Sequence, residues 1–350
     1  MKPSSAHPRS WTAARNGGNT LPSEGKLRCW RSLLVVGFLA GSAAQVAAQE
    51  DFSGIRTFLK APLVDCSTGF RADIAVLGVP MDEGTTARPG ARYAPRDIRD
   101  ASFNYAWARQ QGFYYIDEGR TVLAGKRWVD CGDVAIAPTR PSRTGDRVTE
   151  AVQAIRRQGA IPVILGGDHS ITFPVLRALT VPELTLIHLD AHTDNYAGGP
   201  DNFDHATWLH RAASLPAVKR VVQIGMRGLA NGPHGAELAR QMGSTLITSE
   251  SIHRDGVDQA LARIPHSTAI YVTIDIDVVD PALAPGTGTP EVGGLTFQEL
   301  HDLLVGIGAK GDTLLGMDVV EVNPYYDTTG ITAQLAARIV IDLLGAAMKP

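Results

Sequence analysis

The chain has 350 residues, 44% of them hydrophobic and 20% charged, with a formal net charge of −3. That length supports one large domain or two small ones around a sizeable core. The near-neutral balance excludes the strongly basic surface of a nucleic-acid binder.

The first 48 residues stand apart. They hold Lys2, Arg9, Arg15, Lys26, Arg28 and Arg31 against a single acid, Glu24. Without them the body keeps 27 basic and 35 acidic residues, a net charge of −8, which suits a cationic substrate. A short apolar run, Leu33–Ala40, follows the last basic residues, and Val46-Ala47-Ala48 precedes Gln49. A basic flank, a short apolar core and a small-residue exit describe a removable export signal at residues 1–48. The run is too short to span a bilayer. The expected destination is periplasmic or secreted, with a mitochondrial transit peptide as the alternative. Residues 49–350 then form one catalytic domain. Cys66 and Cys131 remain after removal; two separate thiols are the expectation, and one bridge is compatible with an oxidising compartment.

In the body, strand-like and helix-like stretches alternate. Residues 72–79 read as an apolar strand ending in Pro80, and 151–157 as the end of an amphipathic helix. Apolar strands are expected at 161–165, 184–189, 220–224, 245–247, 269–274 and 313–317, and helices at 297–307 and 331–348. Short continuous apolar strands between helices predict a parallel sheet covered on both faces, an α/β three-layer sandwich with a mostly parallel sheet. Ligands of such sheets bind beyond the carboxyl ends of the strands.

The acids and histidines cluster there. Strand 161–165 leads into Gly166-Gly167-Asp168-His169-Ser170, and strand 184–189 into Asp190-Ala191-His192-Thr193-Asp194. Strand 269–274 leads into Asp275-Ile276-Asp277, and strand 313–317 into Asp318-Val319-Val320-Glu321. If the strand alternation continues, Asp190, His192 and Asp194 share a face, as do Asp275 and Asp277. Four carboxylates and two imidazoles at one sheet edge call for divalent cations. Oxygen-rich ligands without thiolate favour manganese by softness, although affinity order favours nickel, copper or zinc.

These segments, with the run following Asp277 and Glu321-Val322-Asn323-Pro324, resemble the ureohydrolase (arginase and agmatinase) family from about residue 53 to the C-terminus. The resemblance implies an arginase-like sandwich that hydrolyses a guanidinium group to urea and an amine. It implies two Mn2+, with Ni2+ as the alternative. His169, Asp190, Asp194 and Asp275 would hold one ion, and Asp190, His192, Asp275 and Asp277 the other. Glu321 would bind the guanidinium, and His205, with Asp194, would shuttle a proton. It implies a homotrimer or homohexamer.

Ala206 departs from the family's glycine after that histidine. Agmatine is the first expectation for the substrate, because Thr85–Arg92 and Phe203-Asp204-His205 look like agmatinase and the arginase head-group residues do not match in Asn195–Asp204. Asp201 or Asp204 would face the second cation of agmatine. Guanidinobutyrate or another guanidino acid is the alternative, with Arg88 or Arg92 as its partner, followed by guanidine itself. A guanidine-binding pseudoenzyme would have lost a ligand, and none is missing. A deacetylase on the related fold would need one zinc and no paired acids. His188 is expected to be a satisfied core histidine, Asp168 and Asp318 to support the ligands, and Asp280 to cap a turn.

Overall fold

The computed structural model describes residues 53–199 and 202–348; the expected export signal and Asp201 lie outside them. Ten strands are found among the described residues: β1 (Ile74–Gly78), β2 (Phe113–Tyr115), β3 (Arg120–Val122), β4 (Trp128–Asp133), β5 (Ile161–Leu165), β6 (Leu184–Leu189), β7 (Val218–Met226), β8 (Thr245–Thr248), β9 (Ala269–Asp275) and β10 (Thr313–Val320). Eight of them build one sheet in the order β4-β1-β5-β10-β9-β6-β7-β8, while β2 and β3 form a separate antiparallel hairpin. Every neighbouring pair in the large sheet is parallel.

The helices are α1 (Ala94–Ser102), α2 (Pro141–Arg157), α3 (Thr172–Arg177), α4 (Trp208–Ala212), α5 (Gly232–Gln241), α6 (Ser249–Asp255), α7 (Val257–Ala262), α8 (Phe297–Ala309) and α9 (Ile331–Ala347). Alternation along β1 shows how they divide. Ile74 and Val76 pack into the core shared with α1, α8 and α9; Ala75 and Leu77 face the core shared with α2, α3 and α4. A sheet buried on both faces has no polar side, which is why its strands read as unbroken apolar runs. Helix α8 begins at a capping box in which the Thr296 hydroxyl accepts from the Glu299 amide and Glu299 accepts from Thr296. No helix among the described residues is long and apolar enough to cross a membrane.

The topology makes a crevice. Successive strands β5 and β6 lie apart, and β9 and β10, later in the chain, fill the gap. Such a switch point is where α/β sheets place their ligands. Pairings Leu165↔Val319, Ile274↔Val319 and Leu189↔Ile274 set the four strand ends in one row.

One strand is unexpected and one expectation changes. Strand β4 has no clean pattern, because Trp-Val-Asp-Cys-Gly-Asp mixes acids with apolar residues. Its Asp130 is buried because Arg99 clasps it, at 2.8 Å through Nε and 3.0 Å through a terminal nitrogen. Residues 62–64 run beside β4, with the Asp130 amide donating to the Pro62 carbonyl and the Val64 amide to the Asp130 carbonyl. That pairing brings Cys66 against Cys131, and the two form a disulfide rather than standing as separate thiols. The bridge spans 65 residues of sequence. Reducing it is expected to lower stability by about 2–4 kcal/mol, read as a shift in the urea unfolding midpoint with and without reductant; an unmoved midpoint would show the bridge to be energetically idle.

Candidate metal centre

The four strand ends deliver the motifs, but not by strand alternation. Strand β6 stops at Leu189, so Asp190–Asp194 form a loop, and Asp277 lies in a 3-10 turn, Ile276–Val278, after β9. Turn hydrogen bonds do the aiming: the His192 amide donates to Asp190 Oδ1 at 2.5 Å, and the Asp277 amide to Asp275 Oδ1 at 2.9 Å. Asp194 and Glu321 adopt left-handed backbone conformations, φ +47° and +61°. Non-glycine residues avoid that region, and where it occurs it marks sites whose geometry is imposed by their surroundings. Gly167 is required by close approach, since a Cβ there would stand 1.6 Å from the Met81 carbonyl oxygen.

The ligand-type atoms gather in two groups. His169 Nδ1 faces Asp190 Oδ2 at 3.1 Å and Asp194 Oδ2 and Asp275 Oδ2 at 3.2 Å each. His192 Nδ1 faces Asp277 Oδ2 at 3.1 Å and Asp190 Oδ1 at 3.4 Å. Asp190 thus offers one oxygen to each group. Asp190, His169, Asp275 and Asp277 are all buried.

The proton on His169 can be placed. The Thr273 hydroxyl donates to Asp318 Oδ1, so it accepts from His169 Nε2 at 2.9 Å. Nε2 therefore carries a hydrogen, and Nδ1, without a hydrogen-bond partner, faces three carboxylate oxygens. A nitrogen set among three anions in a buried site calls for a positive charge between them, a proton or a metal ion in its place. Burial, followed by the proximity of Asp277 and Asp190, pushes the Asp275 carboxyl well above its ordinary range. Burial opposes ionisation of Asp190 too, but His188, His169 and His192 hold its carboxyl well below. The donor set, oxygen with imidazole and no sulfur, fits hard to borderline divalent ions.

The supporting residues behind these groups are buried as well. Asp318 also accepts from Tyr271 and Thr172, at 2.8 and 3.0 Å. Asp168 takes the Gly84 amide at 2.7 Å and the Ser170 amide at 2.9 Å, tying the 82–92 loop to His169. Asp280 accepts three backbone amides, from Ala282, Gly293 and Gly294, as a turn cap would. Trp208, which no sequence motif singles out, donates to Asp194 Oδ2 at 2.9 Å and stacks on His169.

Beside the cluster sits Glu321. Its Oε1 accepts from the His169 amide and from His205 Nδ1, each at 2.9 Å, while Oε2 is buried and unpartnered. In the neutral imidazole His205 Nε2 accepts from the Thr86 amide at 3.2 Å; the Thr86 hydroxyl, 2.8 Å away, can accept from Nε2 once it is protonated. Burial pulls the His205 imidazole down, but Glu321, Asp194 and Asp168 outweigh it and raise it to about 10. Asp204 Oδ1 accepts the Ala206 amide at 2.7 Å, fixing the turn that aims His205.

Arg92 is committed to buried Asp82, but the Arg88 guanidinium lies over the Tyr326 ring at 5.0 Å. A Cβ built on Gly288 would be 2.9 Å from the Arg88 carbonyl and 3.7 Å from Glu321 Oε2, which sets the Arg88 backbone close to the glutamate.

A parallel α/β sandwich carrying a carboxylate–imidazole centre at its switch point is the architecture of a metal-dependent hydrolase. The chain belongs to the arginase family, whose model matches residues 72–345. It is 36% identical over 304 residues to a guanidinopropionase from Pseudomonas aeruginosa, covering 84% of this chain and 92% of the relative. It is 35% identical over 294 residues to an agmatinase from an Enterobacter species, covering 82% and 91%. The proclavaminate amidino hydrolase of Streptomyces clavuligerus superposes with a TM-score of 0.76 at 34% identity, over 85% of this chain and 98% of that one. The chain is accordingly an enzyme acting on amidino C–N bonds of guanidino compounds, and the full set of six ligand-type side chains argues against a pseudoenzyme.

Proposed function

We propose that the protein hydrolyses agmatine to putrescine and urea. The observation that carries the chemistry is the buried, unpartnered Glu321 Oε2 beside the carboxylate cluster, an anion placed for a planar guanidinium. Two manganese ions are the proposed cofactor, with nickel as the alternative. His169, Asp190, Asp194 and Asp275 would hold one, and Asp190, His192, Asp275 and Asp277 the other. When bound, such a pair would supply a water acidified toward neutrality as the nucleophile. The side chains do the rest. Glu321 Oε2 orients the guanidinium and opposes charge shifts as its carbon turns tetrahedral. His205, protonated at neutral pH by virtue of its acidic neighbours, delivers a proton to the departing amine. Asp194 would take up the proton that the attacking water loses and pass it to His205, which restores the donor.

The tail of the substrate is read from the mouth of the site. Asp204 and the acidic body favour the distal cation of agmatine. Arg88, uncommitted to any carboxylate among the described residues, favours a guanidino acid such as guanidinobutyrate as the second reading, and the guanidinopropionase relative supports it. Urea release would be measured with agmatine, arginine, guanidinobutyrate, guanidinopropionate and guanidine on the Mn2+-loaded protein. Turnover of agmatine, unchanged in Arg88→Ala, supports the first reading. Turnover of a guanidino acid whose KM rises about tenfold in Arg88→Ala, the cost of one charge-assisted contact, supports the second. No urea from any of the five would sink both.

A homotrimer or homohexamer and an exported, mature chain starting near Gln49 complete the proposal. The Cys66–Cys131 bridge supports an oxidising compartment. The mass of the protein isolated from its native cells tests the start, since a full-length species would exclude removal of 1–48.

A further inference from the structure

His188 lies inside β6, fully buried and remote from solvent, as a core histidine would. It is nonetheless bonded into the centre. Its Nε2 is 2.7 Å from Asp190 Oδ2, the oxygen that Asp190 turns toward His169. Its Nδ1 is 3.3 Å from Gln223 Nε2 on the neighbouring strand β7, which pairs His188 with Gln223 directly.

The proton on His188 follows from its partners. Gln223 Nε2 also lies 2.9 Å from the Thr193 carbonyl oxygen. A carbonyl accepts only, so the amide nitrogen belongs on that side, and Gln223 keeps this orientation although its Oε1 is buried without a partner. The same NH2 group then donates its second hydrogen to His188 Nδ1. Nδ1 is an acceptor, Nε2 bears the hydrogen, and His188 donates to Asp190. A metal ligand needs a bare nitrogen, so His188 is no ligand even though a ring nitrogen of it lies within 4.8 Å of potential ligand atoms of His169, Asp190 and Asp194.

We propose that His188, set in one tautomer by Gln223, is a positioning residue that fixes the carboxylate plane of Asp190 so that its two oxygens serve the two metal positions. The inference rests on the two-metal reading above. A terminal carboxylate torsion is soft and roughly two-fold, so Asp190 needs an external constraint to keep Oδ2 and Oδ1 divided between the two groups. The His192 amide grips Oδ1, and His188 grips Oδ2. An imidazole N–H does this from a fixed ring, without the long flexible stem of a lysine or arginine. Ring packing holds the donor still: Trp208 meets His188 edge-on at 5.1 Å while stacking on His169 at 4.5 Å.

The test compares two substitutions whose order reverses between a positioning and a packing role. His188→Gln keeps an N–H donor near the place of Nε2, whereas His188→Phe keeps the ring and loses the donor. Each metal-stripped protein would be titrated with Mn2+ by calorimetry. Outer hydrogen-bond partners of ligands typically contribute 10–100-fold to metal affinity. The expected result is two Mn2+ per chain in all three proteins, affinity within a few-fold of wild type for His188→Gln, and roughly 10–100-fold weaker binding for His188→Phe. Equal affinities, or tighter binding by His188→Phe than by His188→Gln, would reduce His188 to a packing residue. Loss of one whole Mn2+ in both variants would make it a ligand and overturn the assignment. Wild-type protein binding fewer than two Mn2+ would instead overturn the two-metal reading beneath it. Should the His188→Phe protein not fold, neutron diffraction of the wild-type protein decides: deuterium on His188 Nε2 is expected, and deuterium on Nδ1 alone refutes the proposal.

Discussion

Asp190→Ala is expected to abolish tight binding of both metals and to cut urea release about 10^3-fold or more. The size follows from losing several kcal/mol of charge stabilisation at the reacting centre. Asp190 is the carboxylate that faces both imidazole groups, with Oδ2 toward His169 and Oδ1 toward His192. Removing it leaves each group one oxygen short at once, so the two ions should be lost together rather than in turn. Metal analysis after gel filtration, with circular dichroism to confirm the fold, would check this. A variant that keeps two tightly bound ions would show that Asp190 does not bridge.

Glu321→Gln should separate binding of the guanidinium from binding of the metals. Glu321 is one hydrogen bond removed from the metal-facing imidazole, touching His169 through its backbone amide only. The variant is expected to keep two Mn2+ and lose about 10^2–10^3-fold in kcat/KM, as when a donor or charge aimed at a transition state is removed. It should also move the pH profile. Glu321 is the strongest of the groups raising His205 to about 10, so neutralising it lowers that pKa toward the ordinary 6.5. His205 must be protonated to deliver its proton, and that form is lost as pH rises through its pKa. The alkaline limb of the residual activity is therefore expected at lower pH in Glu321→Gln. Retention of kcat/KM within about tenfold, or an unmoved limb, would contradict the role.

Much of this was legible because both faces of the sheet are buried. Strands 161–165 and 184–189 stand where their apolar runs placed them, and the site motifs follow the strand ends directly. The mechanism of convergence was not legible. Alternation along an extended strand and a 3-10 turn can bring residues two apart together equally well, and sequence alone does not separate them; here turns aim Asp277 and the 190–194 loop. Strand β4 escaped because its acids are neutralised by Arg99, 31 residues away. The same omission hid the neighbour of Cys66. His188 reads as core, and burial agrees, but its partner is a carboxylate that reaches it only through the loop after β6. Trp208 and Gln223 carry no motif; their roles lie in hydrogen bonds to distant segments, for which no local signal exists.

The position of β9 and β10 has a consequence for the order of synthesis. A growing chain presents β5 and β6, with His169, Asp190, His192 and Asp194, well before the two strands that must lie between them. Asp275, Asp277 and Glu321 arrive last, and the centre of the sheet can close only around them. Pairings of such long sequence separation are slow to form. A chain ending before residue 269 therefore carries four of the six proposed ligands but neither of the strands that set them side by side, and the site is complete only once β9 and β10 are in place.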